Sequence, residues 1–177
     1  MIRFFDFLFS LIGLIFLSPL MALIFLIGLF ENGSPLFIQS RVGYNLKSFS
    51  LIKFRTMPKG VRSAGTHLIK NIKFTLFGSF LRRTKIDEIP QLLNVFLGDM
   101  SLVGPRPCLF NQSTLIKERK KRKVFKARPG ITGLAQILGI NMRTPKLLAK
   151  TDQKMIKEMN LYNYFYYIFK TIFKIIS

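Results

Sequence analysis

The chain has 177 residues, enough for one domain with little room for a second, and its 28 Lys+Arg against 8 Asp+Glu give a formal net charge of +20. That excess is far above what solubility needs and implies an anionic partner: nucleic acid, an anionic membrane surface or phosphorylated small molecules. One cysteine, Cys108, and one histidine, His67, exclude an intramolecular disulfide, a zinc cluster and a multi-histidine metal centre, and leave a Ser-His-Asp triad open only through His67.

From Phe7 to Phe30 no residue is charged, which is long enough for a helix to cross a bilayer. No small-x-small pattern follows the run, so a membrane helix is favoured over a cleaved leader. Ser18-Pro19 sits near its middle. Proline removes one backbone hydrogen bond, so a kink or break is expected there. On the residues alone two arrangements stay open: a kinked spanning helix, and a re-entrant hairpin that enters and leaves one face. The basic remainder belongs in the cytoplasm by the positive-inside rule.

After the turn cluster Glu31-Asn32-Gly33-Ser34-Pro35, the segments Phe37–Gln39 and Phe49–Arg55 read as extended, joined by a turn at Gly43-Tyr44-Asn45. Pro58–Thr66 is a polar loop, and Ile69–Leu81 fits a helix. The apolar spacing of Leu92, Leu93, Phe96 and Leu97 predicts a helix over Ile89–Leu97, stopped by Gly98. Lys117–Arg128 is a basic run with Glu118 its only acid, read either as a solvated helix face or as contact with anionic headgroups. Arg128–Gly133 reads as a turn or loop. The tail, Lys154–Ile176, mixes aromatics with spaced lysines, which suits an interfacial amphipathic helix or ordinary core packing.

With so few acids, their placement limits the chemistry. Asp6 and Glu31 flank the apolar run, Glu118 sits in basic charge and Glu158 in the tail. A magnesium site or carboxylate nucleophile must then draw on Asp87, Glu88, Asp99 and Asp152. Pro90, three residues after Asp87, is compatible with a helix whose N-cap is Asp87, setting the pair where backbone amides favour phosphate. Arg82, Arg83 and Arg106 could then clamp phosphoryl oxygens. A plain Asp N-cap with surface arginines competes with that reading.

Five ordered blocks carry a resemblance over nearly the whole chain. They are Pro35-Leu36-Phe37-Ile38-Gln39-Ser40-Arg41-Val42-Gly43, Lys53-Phe54-Arg55-Thr56-Met57, Leu81-Arg82-Arg83-Thr84 with Asp87-Glu88-Ile89-Pro90-Gln91-Leu92-Leu93-Asn94, Gly98 to Pro107, and Arg128 to Gln136. The chain resembles the bacterial sugar transferases, the small monotopic polyprenyl-phosphate phosphoglycosyltransferases. The resemblance implies an α/β, mainly α, fold: a re-entrant N-terminal helix-break-helix over 1–31, broken at Ser18-Pro19, then a compact cytosolic domain over 32–177 with interfacial amphipathic helices. It implies transfer of a phosphosugar from a UDP-sugar to polyprenyl (undecaprenyl) phosphate at the inner leaflet of the bacterial inner membrane, with UMP released, to initiate glycoconjugate assembly. By the same likeness Asp87 is the nucleophile that forms a covalent phosphosugar intermediate and Glu88 binds Mg2+. Arg82 and Arg106 match phosphate-holding positions, joined by Arg41, Lys53 and Arg55 of the early blocks. No nucleic-acid partner is expected, and a homo-oligomer is left open.

Some positions depart from the family pattern. Leu46 stands where a second glycine often follows Gly43, Leu138 and Ile140 flank Gly139 in place of Asn-Gly-Arg, Tyr164 replaces an acid, and tryptophan is absent. The length argues against the longer members with four extra spanning helices. The rival functions are a catalytically silent membrane scaffold of a glycan-assembly complex, which the intact Asp87-Glu88 pair opposes, and a membrane-tethered nucleic-acid binder, for which no recognisable module exists.

Overall fold

The apolar run forms one long helix, α1 (Ile2–Asn32), in the computed structural model, which describes residues 1–58 and 74–176. Its mean hydropathy of 2.6 over an 18-residue window makes it long and apolar enough to cross a membrane. Helical structure continues through Pro19, so the break expected at Ser18-Pro19 is corrected to an unbroken helix. The missing proline N–H leaves the Ile15 carbonyl without its donor, and the Ser18 hydroxyl supplies one at 2.7 Å. Both ends of α1 rest on the remainder of the protein. Near the start, Arg3 donates to the Phe96 and Met100 carbonyls and Phe7 stacks on Phe96 at 4.9 Å. Near the end, Ile24 packs with Phe54 and Leu81, and Gly28 lies so close to Pro35 that a Cβ would sit 3.1 Å from it. Between them, beside Ser18-Pro19, Phe16 is 79% exposed.

The expected extended segments are strands β1 (Leu36–Val42) and β2 (Ser48–Phe54), antiparallel, with Leu36 opposite Phe54 and Val42 opposite Ser48. A 3-10 turn, Tyr44–Leu46, joins them. Leu46 adopts φ 65°, the left-handed conformation that glycine takes at no steric cost, so the turn keeps its shape with a leucine under strain of roughly 1 kcal/mol. Helix α2 (Leu76–Arg83) is the described part of the helix expected over Ile69–Leu81; residues 69–73, and all but Pro58 of the loop expected over Pro58–Thr66, lie outside the described residues. Helix α3 (Gln91–Leu97) ends at Gly98, φ 95°, as the apolar spacing predicts. The Asn94 amide binds α3 to the open edge of β2: its Nδ2 donates to the Ser50 carbonyl at 2.8 Å and its Oδ1 accepts from the Ile52 N–H at 3.1 Å.

Arg128–Gly133 is not simply a loop. Within it β4 (Gly130–Thr132) pairs in parallel with β3 (Ser101–Val103), Ser101 opposite Gly130. Three-residue strands are too short to show a period, and their partners lie far apart in sequence. A Cβ on Gly130 would lie 2.0 Å from the Gly104 nitrogen, which is why glycine stands there.

The basic run forms α4 (Ser113–Lys121) and a 3-10 turn, Val124–Lys126. It is not uniformly solvated, because Arg119 is 2% exposed and paired with Asp152. The short α5 (Leu134–Ile137), α6 (Pro145–Lys157) and α7 (Leu161–Ile176) complete the chain. The tail is thus two helices. In α7 one face is core, with Tyr164 and Tyr167 buried, and the other exposes Tyr162, Phe169 and Phe173.

Asp6 does not merely flank the apolar run. It is buried, and its Oδ1 accepts from the Ser101 hydroxyl, the Leu102 N–H and the Tyr164 hydroxyl, each at 2.9 Å. One carboxylate therefore joins α1, β3 and α7. Tyr164→Phe removes a hydrogen bond to a buried charge and is expected to lower stability by about 1.5–3 kcal/mol. Thermal unfolding in detergent reads this, and a melting temperature equal to the parent's would show that the bond carries no stability.

Candidate active site

The acid pair lies in a 3-10 turn, Ile86–Glu88, between α2 and α3. Lys85 enters it at φ 61°, a left-handed conformation for a non-glycine residue. The turn closes by the Glu88 N–H to the Lys85 carbonyl and the Ile89 N–H to the Ile86 carbonyl. Pro90, not Asp87, is the N-cap of α3, so the expected capping role of Asp87 is corrected. Proline fits there because its φ is already −60° and no intrahelical amide is lost.

A cavity of about 690 Å³ opens over this turn. Asp87, Lys53, Arg41, Arg55, Arg82 and Arg106 all line it, so the structure gathers the basic candidates of four separated blocks around one carboxylate. Lys53 Nζ, from β2, and Arg106 Nη2, from the loop after β3, both donate to Glu88 Oε1 at 2.7 Å. Burial alone would push the Glu88 carboxyl up. The charges of Arg106 and Lys53 and their hydrogen bonds reverse this and hold it well below the usual carboxylate range. The Glu88 charge in turn raises Arg106, while burial lowers Lys53 despite the same neighbour. Burial, then the nearby Arg106 charge, brings Arg41 down to about 10.

Asp87 differs from its neighbour. It is 7% exposed and its Oδ1 is buried with no hydrogen-bond partner. Burial raises its pKa; Lys53 opposes the rise and Glu88 adds to it. An ionisable oxygen without a donor, at the wall of a cation-lined cavity, marks Asp87 as a candidate functional residue.

The other basic candidates hold different posts. Arg41 donates to the Gln39 side chain at 2.6 Å and to the Pro107 carbonyl at 3.4 Å. Arg82 lies over the Phe74 ring at 4.7 Å. Arg55 is engaged by the Ser34 and Leu36 carbonyls and lies over Phe37, so its guanidinium fastens the entry to β1. Ser18 and Pro19 belong to α1, away from the cavity lining. Asp99 does not line the cavity, and Asp152 is bonded to Arg119, so neither joins the pair as a candidate ligand. His67 lies outside the described residues.

Sequence reasoning missed Lys85 and Gln136 as lining residues. Both Gln136 amide atoms are buried without a hydrogen-bond partner. Gln136 closes the last sequence block, which was a usable signal; nothing in the sequence marks Lys85, one more cation in a basic chain.

A family model described as "Bacterial sugar transferase" matches residues 1–177. A Bacillus subtilis (strain 168) protein named "Uncharacterized sugar transferase EpsL" is 48% identical over 110 residues, covering 62% of this chain and 54% of its own. The "Exopolysaccharide production protein ExoY" of Rhizobium meliloti (strain 1021) is 34% identical over 190 residues, covering 96% of this chain and 83% of its own. An Aeromonas hydrophila protein, "UDP-N-acetylgalactosamine-undecaprenyl-phosphate N-acetylgalactosaminephosphotransferase", is 33% identical over 183 residues, covering 97% of this chain and 43% of its own. The chain thus spans about half the length of the first of these relatives and less than half of the last.

The raised pKa of Asp87 bears on stability. A carboxyl whose folded pKa exceeds its unfolded value binds its proton more tightly when folded. Its ionised form therefore costs stability in full above the folded pKa, and the cost shrinks as pH falls from the folded to the unfolded pKa and is absent below both. At pH 7 the neutral, near-isosteric Asp87→Asn is expected to be at least as stable as the parent, by on the order of 1 kcal/mol in its favour. A melting temperature several degrees lower would contradict this account of the site.

Proposed function

The chain belongs to the bacterial sugar transferase family, and on that premise we propose that it moves a phosphosugar from a UDP-sugar to polyprenyl (undecaprenyl) phosphate, releasing UMP and initiating assembly of a glycoconjugate. The observation that carries the reading is the unpartnered Asp87 Oδ1 at a cavity lined by Lys53, Arg41, Arg82 and Arg106. The Aeromonas relative is named for this kind of transfer, and the Rhizobium relative for exopolysaccharide production.

Asp87 attacks the sugar-bearing phosphorus of the donor. The new bond joins a carboxylate oxygen to phosphorus; the bond to the bridging oxygen breaks, and UMP leaves with the electron pair. The polyprenyl phosphate oxygen then attacks the aspartyl phosphorus and expels the Asp87 carboxylate, giving polyprenyl-diphosphate-sugar. A carboxylate is already ionised at neutral pH and needs no separate base. Its approach to a diphosphate is opposed by charge, and Lys53, Arg41, Arg82 and Arg106 offset that repulsion as negative charge shifts to the leaving oxygen. Glu88 keeps Lys53 and Arg106 at the attack point.

Mg2+ fits the donor set. Lys53 and Arg106 both use Glu88 Oε1, no described bond uses Oε2, and Asp87 Oδ1 is unpartnered. No group of three acidic, histidine or cysteine ligands exists among the described residues, so Glu88 would hold the ion with the donor phosphates completing its shell. Bound there, the ion supplies charge neutralisation for the diphosphate.

The lipid acceptor explains the anchor. We take residues 1–31 as a re-entrant membrane segment and 32–177 as the catalytic domain, at the cytoplasmic face of the bacterial inner membrane. Support comes from the apolar side chains that α1 leaves exposed along its length, Phe4, Phe16 and Phe30 among them, which a bilayer would cover, and from Ser18-Pro19 as the point at which such a segment would turn. The aromatic outer face of α7, with Lys170 and Lys174, suits the interface beside it.

The test is UMP release in detergent with Mg2+, polyprenyl phosphate and a panel of UDP-sugars. Release with one donor, reduced at least ~10³-fold by Asp87→Asn, is expected. With donor alone, the parent should release about one UMP per protein and gain the mass of a phosphosugar on the Asp87 peptide. Turnover retained by Asp87→Asn would sink the nucleophile assignment. Glu88→Gln should lower the rate and raise the Mg2+ needed for half-maximal rate; an unchanged Mg2+ titration would remove Glu88 as its ligand.

A further inference from the structure

The segment that presents Arg106 to the acid pair cannot hold itself in place. Pro105 and Pro107 flank Arg106 and have no N–H to donate. The carbonyls do the work instead. That of Pro105 accepts from the Gly130 N–H at 3.0 Å, that of Arg106 from Arg119 Nη1 at 2.8 Å, that of Pro107 from Arg41 at 3.4 Å, and that of Cys108 from the Val42 N–H at 3.0 Å. Three of these four donors belong to strand residues, Gly130 of β4 and Arg41 and Val42 of β1. The bond at Arg106 itself comes from a buried side chain on α4.

Arg119 is 2% exposed and Asp152, on α6, is 0% exposed. Arg119 Nε and Nη2 both donate to Asp152 Oδ2, at 2.9 and 2.7 Å, which leaves Nη1 for the Arg106 carbonyl. Neither residue lines the cavity. Removing two charges from water is costly, and well-packed apolar replacements of such pairs are often neutral or stabilising, so a buried ion pair is weak evidence for a role in stability. A planar guanidinium with two of its nitrogens fixed by one carboxylate holds the third in a defined direction. That direction is the backbone of the residue whose side chain meets Glu88.

We propose that Arg119 and Asp152 are a positioning pair for Arg106, setting the guanidinium that meets Glu88 at the depth and angle the transfer needs. This rests on the transferase reading for its effect on rate. Arg119 touches no reacting atom in this account and acts through the Arg106 backbone. Misplacement of a catalytic group by about 1 Å can cost on the order of 10²-fold in rate, so the effect is expected in kcat.

The experiment compares the parent with the neutral, roughly volume-conserving pair Arg119→Met with Asp152→Val, and with Arg119→Lys as the variant that keeps the charge without the planar fork. Each is also made in an Arg106→Ala background. Melting in detergent shows whether each variant folds, UMP release gives kcat and KM for both substrates, and hydrogen exchange follows the peptide spanning residues 104–109. The expected result is a folded double variant, a kcat reduced 10-fold or more with little change in donor KM, and faster exchange over 104–109 with β1–β2 unaltered. In the Arg106→Ala background the further loss should be close to none, because the pair acts through the side chain already removed. Parent-like kcat in the folded double variant, or the same proportional loss in both backgrounds, would overturn the proposal. Should the parent itself turn over no donor, the transferase reading fails separately, and unchanged exchange over 104–109 would then overturn the positioning role on its own.

Discussion

The site is organised around one oxygen, Glu88 Oε1, which accepts from a lysine on β2 and an arginine on the loop after β3, each at 2.7 Å. These two cations are 53 positions apart in the chain; a single bridge from Val42 of β1 to Cys108 brings their segments near each other, and the side chains still need a common partner. The carboxylate is that partner, keeping its charge in a place where burial alone would protonate it. The same arrangement divides the labour of two adjacent acids. Glu88 holds two positive partners on one oxygen and keeps its charge, which suits a holder of cations rather than a nucleophile. Asp87, one residue earlier, keeps an oxygen with no partner. Identical chemistry is separated by environment, as the assignment of nucleophile and holder to a carboxylate pair requires.

The position of the turn follows from its neighbours. Asn94 clamps α3 to the exposed edge of β2, so the residues just before α3 come to rest beside Lys53. The end of α3 is then held by cations: Arg3 from α1 takes the Phe96 carbonyl, and Arg128 takes the Gly98 carbonyl at 2.8 Å. The apolar helix is in this way part of the catalytic body. Moving α1 would strain α3 through Arg3 and Phe7, and α3 carries the dyad at its head. With the lipid acceptor and membrane segment proposed above, this coupling would fix the height of the acid pair relative to the bilayer.

Much of this was legible in the sequence, for reasons that differ by residue. Acids are so scarce that Asp87-Glu88 stood out, and the flanking blocks carried enough identity to name a family. The β1–β2 hairpin and the end of α3 followed from local rules, extended segments around a turn and a glycine after an apolar face. Asp87 as an N-cap failed because two states satisfy the same spacing: a proline three residues on suits a helix begun at Asp87 and equally a 3-10 turn followed by a helix capped by that proline. The parallel pair β3–β4 was invisible because its strands have three residues each. Arg119 was hidden by its company. Among seven exposed or half-exposed cations of one run, nothing local distinguishes the one that turns inward, since the reason is Asp152, 33 positions later.

The distribution of acids explains the net charge better than any count does. Asp6, Asp87 and Asp152 are buried, and Glu88 nearly so. Each organises the interior: Asp6 ties α1 to β3 and α7, Asp152 orients Arg119, and the dyad builds the cavity. Half of the chain's 8 acids are therefore withdrawn from the surface, which is left more positive than the sum of +20 suggests. Both proposed substrates and the leaflet that carries one of them are anionic, so a surface acid near the cavity would repel all three, while a buried acid attracts only the cation it holds. On the proposed function, the sparing use of carboxylates and their inward placement are then one constraint: negative charge is kept where it can aim positive charge.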